Sequence, residues 1–212
     1  MEIELKYLIP DRETIDKMWQ EAVFKEYGTV DSVSQVEMDA IYYDTDDRIL
    51  GRADTAFRIR KEGPIHVATL KWGGHQHEGL HEREELNIQT HEDPAVHLPS
   101  LDIFAQHEKG RQLAELVGDK PLKALIQTSF TRQIMRIDTG SAICEAALDT
   151  GSIITPAGDL DICELEIELF SGDVHDIEKI GADLVKRFGL ETGVESKIGR
   201  GIRMIEQMGK NA

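Results

Sequence analysis

The 212-residue chain has no apolar run near the ~18 residues that a membrane-spanning helix needs. Its start shows no basic region followed by an apolar core, so no secretory leader is expected and a cytoplasmic location is the default. It contains no Gly-rich phosphate loop of the Walker type, which leaves the common nucleotide-binding folds unsupported. Cysteine is scarce: Cys144 and Cys163 sit in strand-like runs opposite Glu145 and Glu164, and they read as buried reduced thiols rather than a disulfide. Basic residues are outnumbered, with 24 Lys and Arg against 40 Asp and Glu and a formal net charge of -16. Long-range repulsion then opposes nucleic acid or an anionic membrane as a partner. Any concentration of arginines on a few strand faces would need its own explanation. No repeat, low-complexity segment or linker interrupts the chain, so residues 1–212 are expected to form one domain with a sizeable core.

What the chain does have begins at residue 1, with Met1-Glu2-Ile3-Glu4-Leu5-Lys6. In a strand, successive side chains point to opposite faces. Glu2, Glu4 and Lys6 then share one face, and Ile3, Leu5 and Tyr7 the other. Such a strand fits the solvated face of an antiparallel sheet. It also fits a polar lumen in which carboxylates hold a metal and the ammonium holds an anion. The pattern recurs. Arg58 and Arg60 alternate with Phe57 and Ile59, and Lys71 is in phase with Thr69 and Val67. Arg83, Glu85 and Asn87 share a face, as do Glu145 and Asp149. Arg132 and Arg136 are in phase, with Ile134 between them. The cleanest alternation is Asp161 to Leu169, with Glu164, Glu166 and Glu168 on one side and Cys163, Leu165, Ile167 and Leu169 on the other.

Between these strands the pattern predicts a helix from Asp11 to about Tyr27, with Ile15, Met18, Trp19, Ala22 and Val23 as its buried stripe. A strand is expected from about Ser34 to Tyr43, ending in an Asp/Thr-rich turn. Gly73-Gly74 reads as a loop, with His75, His77 and His81 as a solvated cluster rather than a metal site. Residues 90–129 read as short helices packing through Leu101, Phe104, Leu113, Leu116, Leu122, Leu125 and Ile126. A Gly/Pro loop is expected between Asp149 and Asp161. Val174 to Phe188 is an amphipathic helix with Gly189 as its cap, and Ser196 caps a last helix carrying Lys197 and Arg200. Trp19 and Trp72 read as packing residues.

If the apolar strand faces pack inward, the charges are merely solvated. If the sheet closes on itself and helices cover its outside, the charges line a channel. Clustered carboxylates suit Mg²⁺ or Mn²⁺ rather than a soft metal. Arginine forks and lysines match phosphate oxygens. Together they are the equipment of phosphoryl transfer.

Glu2-Ile3-Glu4-Leu5-Lys6 resembles the Glu-x-Glu-x-Lys signature of the CYTH domain, or triphosphate tunnel metalloenzyme, superfamily. The resemblance continues in family order. It runs through Tyr42-Tyr43-Asp44-Thr45, Phe57-Arg58-Ile59-Arg60, Thr69-Leu70-Lys71 and Arg83-Glu84-Glu85. It then takes in Phe130-Thr131-Arg132, Ala147-Leu148-Asp149, Cys163-Glu164-Leu165-Glu166 and Ser196-Lys197. It implies an α+β fold: an eight-stranded antiparallel β-barrel forming a tunnel with a charged lumen, covered outside by several α-helices. It implies Glu2, Glu4, Asp149, Glu164 and Glu166 as ligands of Mg²⁺ or Mn²⁺, with Glu145 nearby. Lys6, Arg58, Arg60, Lys71, Arg83, Arg132 and Lys197 would hold the phosphates, and Glu4, Lys6, Arg58 and Lys71 would carry catalysis. Glu168, Arg136 and Arg200 stay secondary.

The style of Gly79-Leu80-His81 and of Cys163 to Gly172 is similar to the bacterial inorganic triphosphatase branch. Many members of that branch carry a further helical domain, and none is expected within these 212 residues. The expected activity is hydrolysis of a small-molecule triphosphate to pyrophosphate and orthophosphate, with a homodimer left open. Class IV adenylate cyclase, thiamine or RNA triphosphatase, and a non-catalytic polyphosphate-binding module are the alternatives.

Overall fold

The computed structural model describes residues 1–20, 33–91, 93 and 98–211. Among the described residues nine strands are hydrogen-bonded into one sheet. They are β1 (Glu2–Leu8), β2 (Ser34–Asp44), β3 (Thr55–Glu62), β4 (Ile65–His77), β5 (Leu80–Thr90), β6 (Lys123–Asp138), β7 (Ile143–Thr155), β8 (Gly158–Ser171) and β9 (Glu191–Thr192). Eight of them close a ring in the order β1-β5-β4-β3-β2-β6-β7-β8, because β1 pairs with β5 on one side and β8 on the other. Every pairing is antiparallel. Closure leaves no long unpaired edge among the eight. Short β9 pairs with the end of β1 through Tyr7↔Thr192 and Leu8↔Glu191.

The described helices are α1 (Arg12–Gln20), α2 (Ile49–Arg52), α3 (Glu108–Val117), α4 (Val174–Phe188) and α5 (Lys197–Asn211), with a 3-10 turn at Leu101–Phe104. Asp11 caps α1 by accepting the Thr14 N–H at 2.7 Å. Asp173 caps α4 through the His175 N–H, and Gly189 ends that helix at φ 65, in the left-handed region.

Most of the apolar core lies outside the barrel. Leu5, Tyr7, Leu148, Leu165 and Ile167 pack against Ile15 and Met18 of α1 and Ile177, Ile180 and Leu184 of α4. On the opposite flank, Phe57, Ile59 and Leu70 pack under Leu50, Leu101, Phe104, Leu113 and Val117. The helices therefore cover the outer strand faces, and the charged faces turn inward. Charge does not fill the whole lumen, however. Tyr42 and Phe130 line the inner cavity, and Ala40, Ile126, Ile153 and Ile162 fall in phase with them or with Glu164. With Met38 they form an apolar cluster against Ile198 and Ile205 of α5. One end of the tunnel is thus an apolar plug seated under α5.

Several local expectations change. Gly73-Gly74 is no loop: β4 runs on to His77, with a register shift between Trp72 and His75. The glycines are a bulge, and the turn falls at Glu78 and Gly79. Leu125 and Ile126 open β6 rather than belonging to a helix, and Leu122 lies just before it. The Gly/Pro loop after Asp149 shrinks to Pro156-Ala157, because β7 and β8 extend through it. Gly151 sits inside β7 for close packing: a Cβ there would meet Ser129 O at 2.2 Å. The proposed positions 21–27 of the first helix, including Ala22 and Val23, lie outside the described residues, as does the Trp19 side chain.

Asp44 is a buried turn-former. It accepts N–H bonds from Thr45, Leu50 and Gly51 and pairs with Arg48. Cys144 and Cys163 are not joined in a disulfide, the first being buried and the second half-buried. Among the described residues no helix is long and apolar enough to cross a membrane.

Candidate active site

Strand pairing brings the inward residues of different strands into register. Lys6 lies opposite Glu166 and Lys71 opposite Glu85; Arg132 lies opposite Asp149. Three pairs are like-charged: Glu4↔Glu168, Glu145↔Glu168 and Asp149↔Glu164. Directly opposed like charges destabilise a sheet unless cations compensate them. A cavity of about 170 Å³ lies between these residues, lined by Glu2, Glu4, Lys6, Arg58, Arg60, Lys71, Arg83, Glu85, Arg132, Glu145, Glu166, Glu168 and Lys197. Ten of the twelve residues named for this site from the sequence line that cavity, and Asp149 and Glu164 join them through Lys197.

The charges sort into three neighbourhoods. The first is the carboxylate triad Asp149, Glu164 and Glu166, all buried, whose oxygens lie within 4.8 Å of one another. Hard oxygen donors at this spacing fit an Mg²⁺- or Mn²⁺-type ion. Four cations of the chain now surround the triad. Lys197 Nζ lies 2.8 Å from Asp149 and 3.0 Å from Glu166, and it also contacts Glu164. Arg132 forks onto Asp149 through two 2.7 Å bonds and reaches Glu166. Lys6 Nζ lies 3.0 Å from Glu166, and Arg200 donates to Glu164 at 2.9 Å. Burial opposes the charge on Glu166, but Lys197, Lys6 and Arg132 outweigh it and hold its carboxyl well below the usual range. Lys197 is pushed well above the usual lysine range by the three carboxylates, against its own burial.

The second neighbourhood is rich in carboxylates. Burial, with Glu4 and Glu85 nearby, raises Glu2 to about 7 despite Lys71 at 2.7 Å. Burial and the neighbouring Glu2 raise Glu168 to about 7 as well. This end carries more negative charge than its partners neutralise.

The third is cationic. Arg58 donates to the Tyr42 hydroxyl at 3.2 Å and lies 4.0 Å from Glu85. Among the described residues its Nε is buried without a hydrogen-bond partner, and so is the Nε of Arg83. Arg60 reaches Glu62, yet burial and the adjacent Arg58 lower it to about 10. Buried donors left unpaired cost about 1–3 kcal/mol each, and an anion among them would recover that cost.

Some participants were only partly visible in the sequence. Glu145 and Glu168 are in phase with the site residues but lay outside the matched motifs, and Glu85 lay within one without a role assigned; all three line the cavity. His81 does not belong to a solvated cluster. It is 1% exposed, bonds Gly193 O through Nε2 at 2.8 Å, and faces Arg83 through Nδ1. Its phase with Arg83 and Glu85 was the available signal. Tyr42 and Phe130 supply ring faces to the cations, with Lys197 at 5.1 Å and Arg132 at 5.7 Å from the Phe130 centroid. Arg136 is exposed and pairs in register with Glu145.

A model of the CYTH domain matches residues 1–202. An inorganic triphosphatase of Haemophilus influenzae is 31% identical over 136 residues, or 64% of this chain and 37% of the relative. The match thus spans little more than a third of that curated relative. Among solved structures, a Hippeastrum protein described as a candidate adenylyl cyclase with a dominant triphosphatase activity superposes with a TM-score of 0.67. It shares 20% identity, with 93% of each chain covered. A Bacillus halodurans protein described as a candidate adenylate cyclase gives a TM-score of 0.58 at 23% identity, covering 94% of this chain and 96% of the other. At such identities these likenesses speak for the fold. With the family match running almost end to end over a closed barrel whose inner wall carries the Glu-x-Glu-x-Lys strand, the chain belongs to the CYTH domain family.

Proposed function

We propose that this protein hydrolyses inorganic triphosphate to pyrophosphate and orthophosphate inside the barrel, with Mg²⁺ or Mn²⁺. The observation that carries the reading is the pair of buried, unpartnered guanidinium Nε atoms of Arg58 and Arg83 in a cavity shared with metal-type carboxylates. Arg58, Arg60, Arg83 and Lys71 would donate to the phosphate oxygens, with Lys6, Arg132 and Lys197 reaching them from the triad side. Divalent metal held by Asp149, Glu164 and Glu166 on one side, and by Glu2 and Glu4, with Glu168 facing Glu4, on the other, would supply charge neutralisation and an activated water.

The buried wall limits bulk water, which strengthens each of these contacts. Attack of water on a terminal phosphorus breaks one P–O–P bridge, and the departing pyrophosphate carries the charge that the arginines stabilise. The inorganic substrate is favoured by the Haemophilus influenzae relative. On this reading, residues 1–212 act as one tunnel domain on a small molecule, in the cytoplasm, without a nucleic-acid or membrane partner.

A phosphate-release screen tests it, using tripolyphosphate, ATP, thiamine triphosphate and pyrophosphate under each metal. Tripolyphosphate should be turned over fastest. Cyclic AMP and pyrophosphate from ATP would overturn the hydrolase reading. A Glu4→Gln variant that keeps its tripolyphosphate affinity while turnover collapses supports an enzyme; a wild type with affinity and no turnover would mean a binding module.

A further inference from the structure

We infer that Lys197 is the resident cation of the Asp149–Glu164–Glu166 triad in the substrate-free protein, and that a divalent metal must displace its ammonium to enter. The inference rests on the metal-dependent reading above. Among the described residues this triad is the one group of three carboxylates whose oxygens lie within 4.8 Å of one another, and the Lys197 ammonium touches all three members. The ammonium donates a hydrogen bond to Glu166 at 3.0 Å and lies in ion-pair contact with Asp149 and Glu164. A dication and an ammonium cannot share that point, because their repulsion at contact distance in a buried site is large.

The lysine is delivered there by the fold. It is the first residue of α5, whose Ile198 and Ile205 pack on the apolar plug, and the Phe130 ring lies beside its Nζ. Its four-carbon stem allows the head to withdraw without moving the helix. It lines the same cavity as Arg58, Arg60 and Lys71, so an incoming triphosphate offers it a second anion. Metal and triphosphate binding are then coupled: the triphosphate draws the ammonium away and opens the triad, and each ligand tightens the other.

The test is a Mn²⁺ titration of the full chain without triphosphate, read by the spin-resonance signal of free Mn²⁺, for wild type, Lys197→Met and Lys197→Arg. Lys197→Met should bind Mn²⁺ about tenfold tighter or more than wild type. Lys197→Arg, which keeps the charge, should stay near wild type. Adding non-hydrolysable imidotriphosphate should bring wild type to the Lys197→Met level. Equal isotherms for wild type and folded Lys197→Met would overturn the inference.

Should Lys197→Met fail to fold, Asp149→Asn decides. Triphosphate-free Mn²⁺ binding unchanged from wild type supports a blocked triad, and its loss overturns one. These isotherms need no turnover, so an inactive protein would sink the proposed hydrolysis while leaving the role of Lys197 to be judged separately.

Discussion

Leu165 and Glu166 are neighbours in β8, and both are buried, but for opposite reasons. Leu165 points outward into the layer shared with Ile177, Ile180 and Leu184 of α4, where removal from water is itself favourable. Glu166 points inward, where removal from water is costly. It is tolerated because Lys6, Arg132 and Lys197 surround it. One wall is thus held by non-directional burial, and the other by a balance of specific charges. The inner wall is unevenly balanced as well: the triad end is saturated with the chain's own cations, whereas the Glu2–Glu168 end is short of them and Arg58 and Arg83 are short of acceptors.

The largest expected effect comes from breaking the inner balance. Glu166→Ala would take one carboxylate from each of the buried cations Lys6, Arg132 and Lys197, leaving them Glu4, Asp149 and Glu164, and should cost about 3–5 kcal/mol in urea unfolding. A loss below about 1 kcal/mol would mean that the inner charges are effectively solvated. Next comes the outer wall, where Ile180→Ala should cost about 2–5 kcal/mol by cavity formation. Its turnover at 20 °C should stay at the wild-type level, and a parallel loss of activity would mean that the two walls are not separable.

Arg58→Ala should do the reverse, lowering kcat on tripolyphosphate about 10²–10³-fold with little change in Tm. Because its Nε has no hydrogen-bond partner among the described residues, an equal loss of stability would argue against an anion-binding role. The smallest effect is a stabilisation. Folding raises Glu168 from 4.5 to about 7, so the penalty for its charge is absent below pH 4.5 and grows until pH passes about 7. In chelator, Glu168→Gln should therefore stabilise the protein by about 1 kcal/mol at pH 8, discounted for solvent screening, and by less at pH 5. Urea midpoints at the two pH values check the sign.

Much of this was legible in the sequence, because a strand's two-residue period exposes which side chains share a face. Glu2 with Glu4 and Lys6, Arg58 with Arg60, and Glu164 with Glu166 could be grouped with no coordinates. What misled were glycines. Gly73-Gly74 read as a loop and Gly151 as part of a Gly/Pro loop, and both lie within strands, where a bulge and a close backbone approach need them. The stretch 122–126 read as helical because its leucines carry no clear period. His81 was grouped with His75 and His77 because nothing in the local sequence shows that Gly193 will arrive from 112 residues away.

The sequence by itself determined the two-sidedness of each strand, the helices with apolar stripes to cover one side, and the kinds of charge on the other. It could not decide which side faced in, since solvated and enclosed charge obey the same local alternation. That choice was made by closure of β1 onto both β5 and β8. Closure also decided which charges meet, because pairing across strands far apart in the chain depends on register and on where α5 docks. So it is the tertiary structure that sets Lys197 among Asp149, Glu164 and Glu166, leaves Arg58 and Arg83 wanting acceptors, and plugs one end of a charged tunnel with apolar side chains.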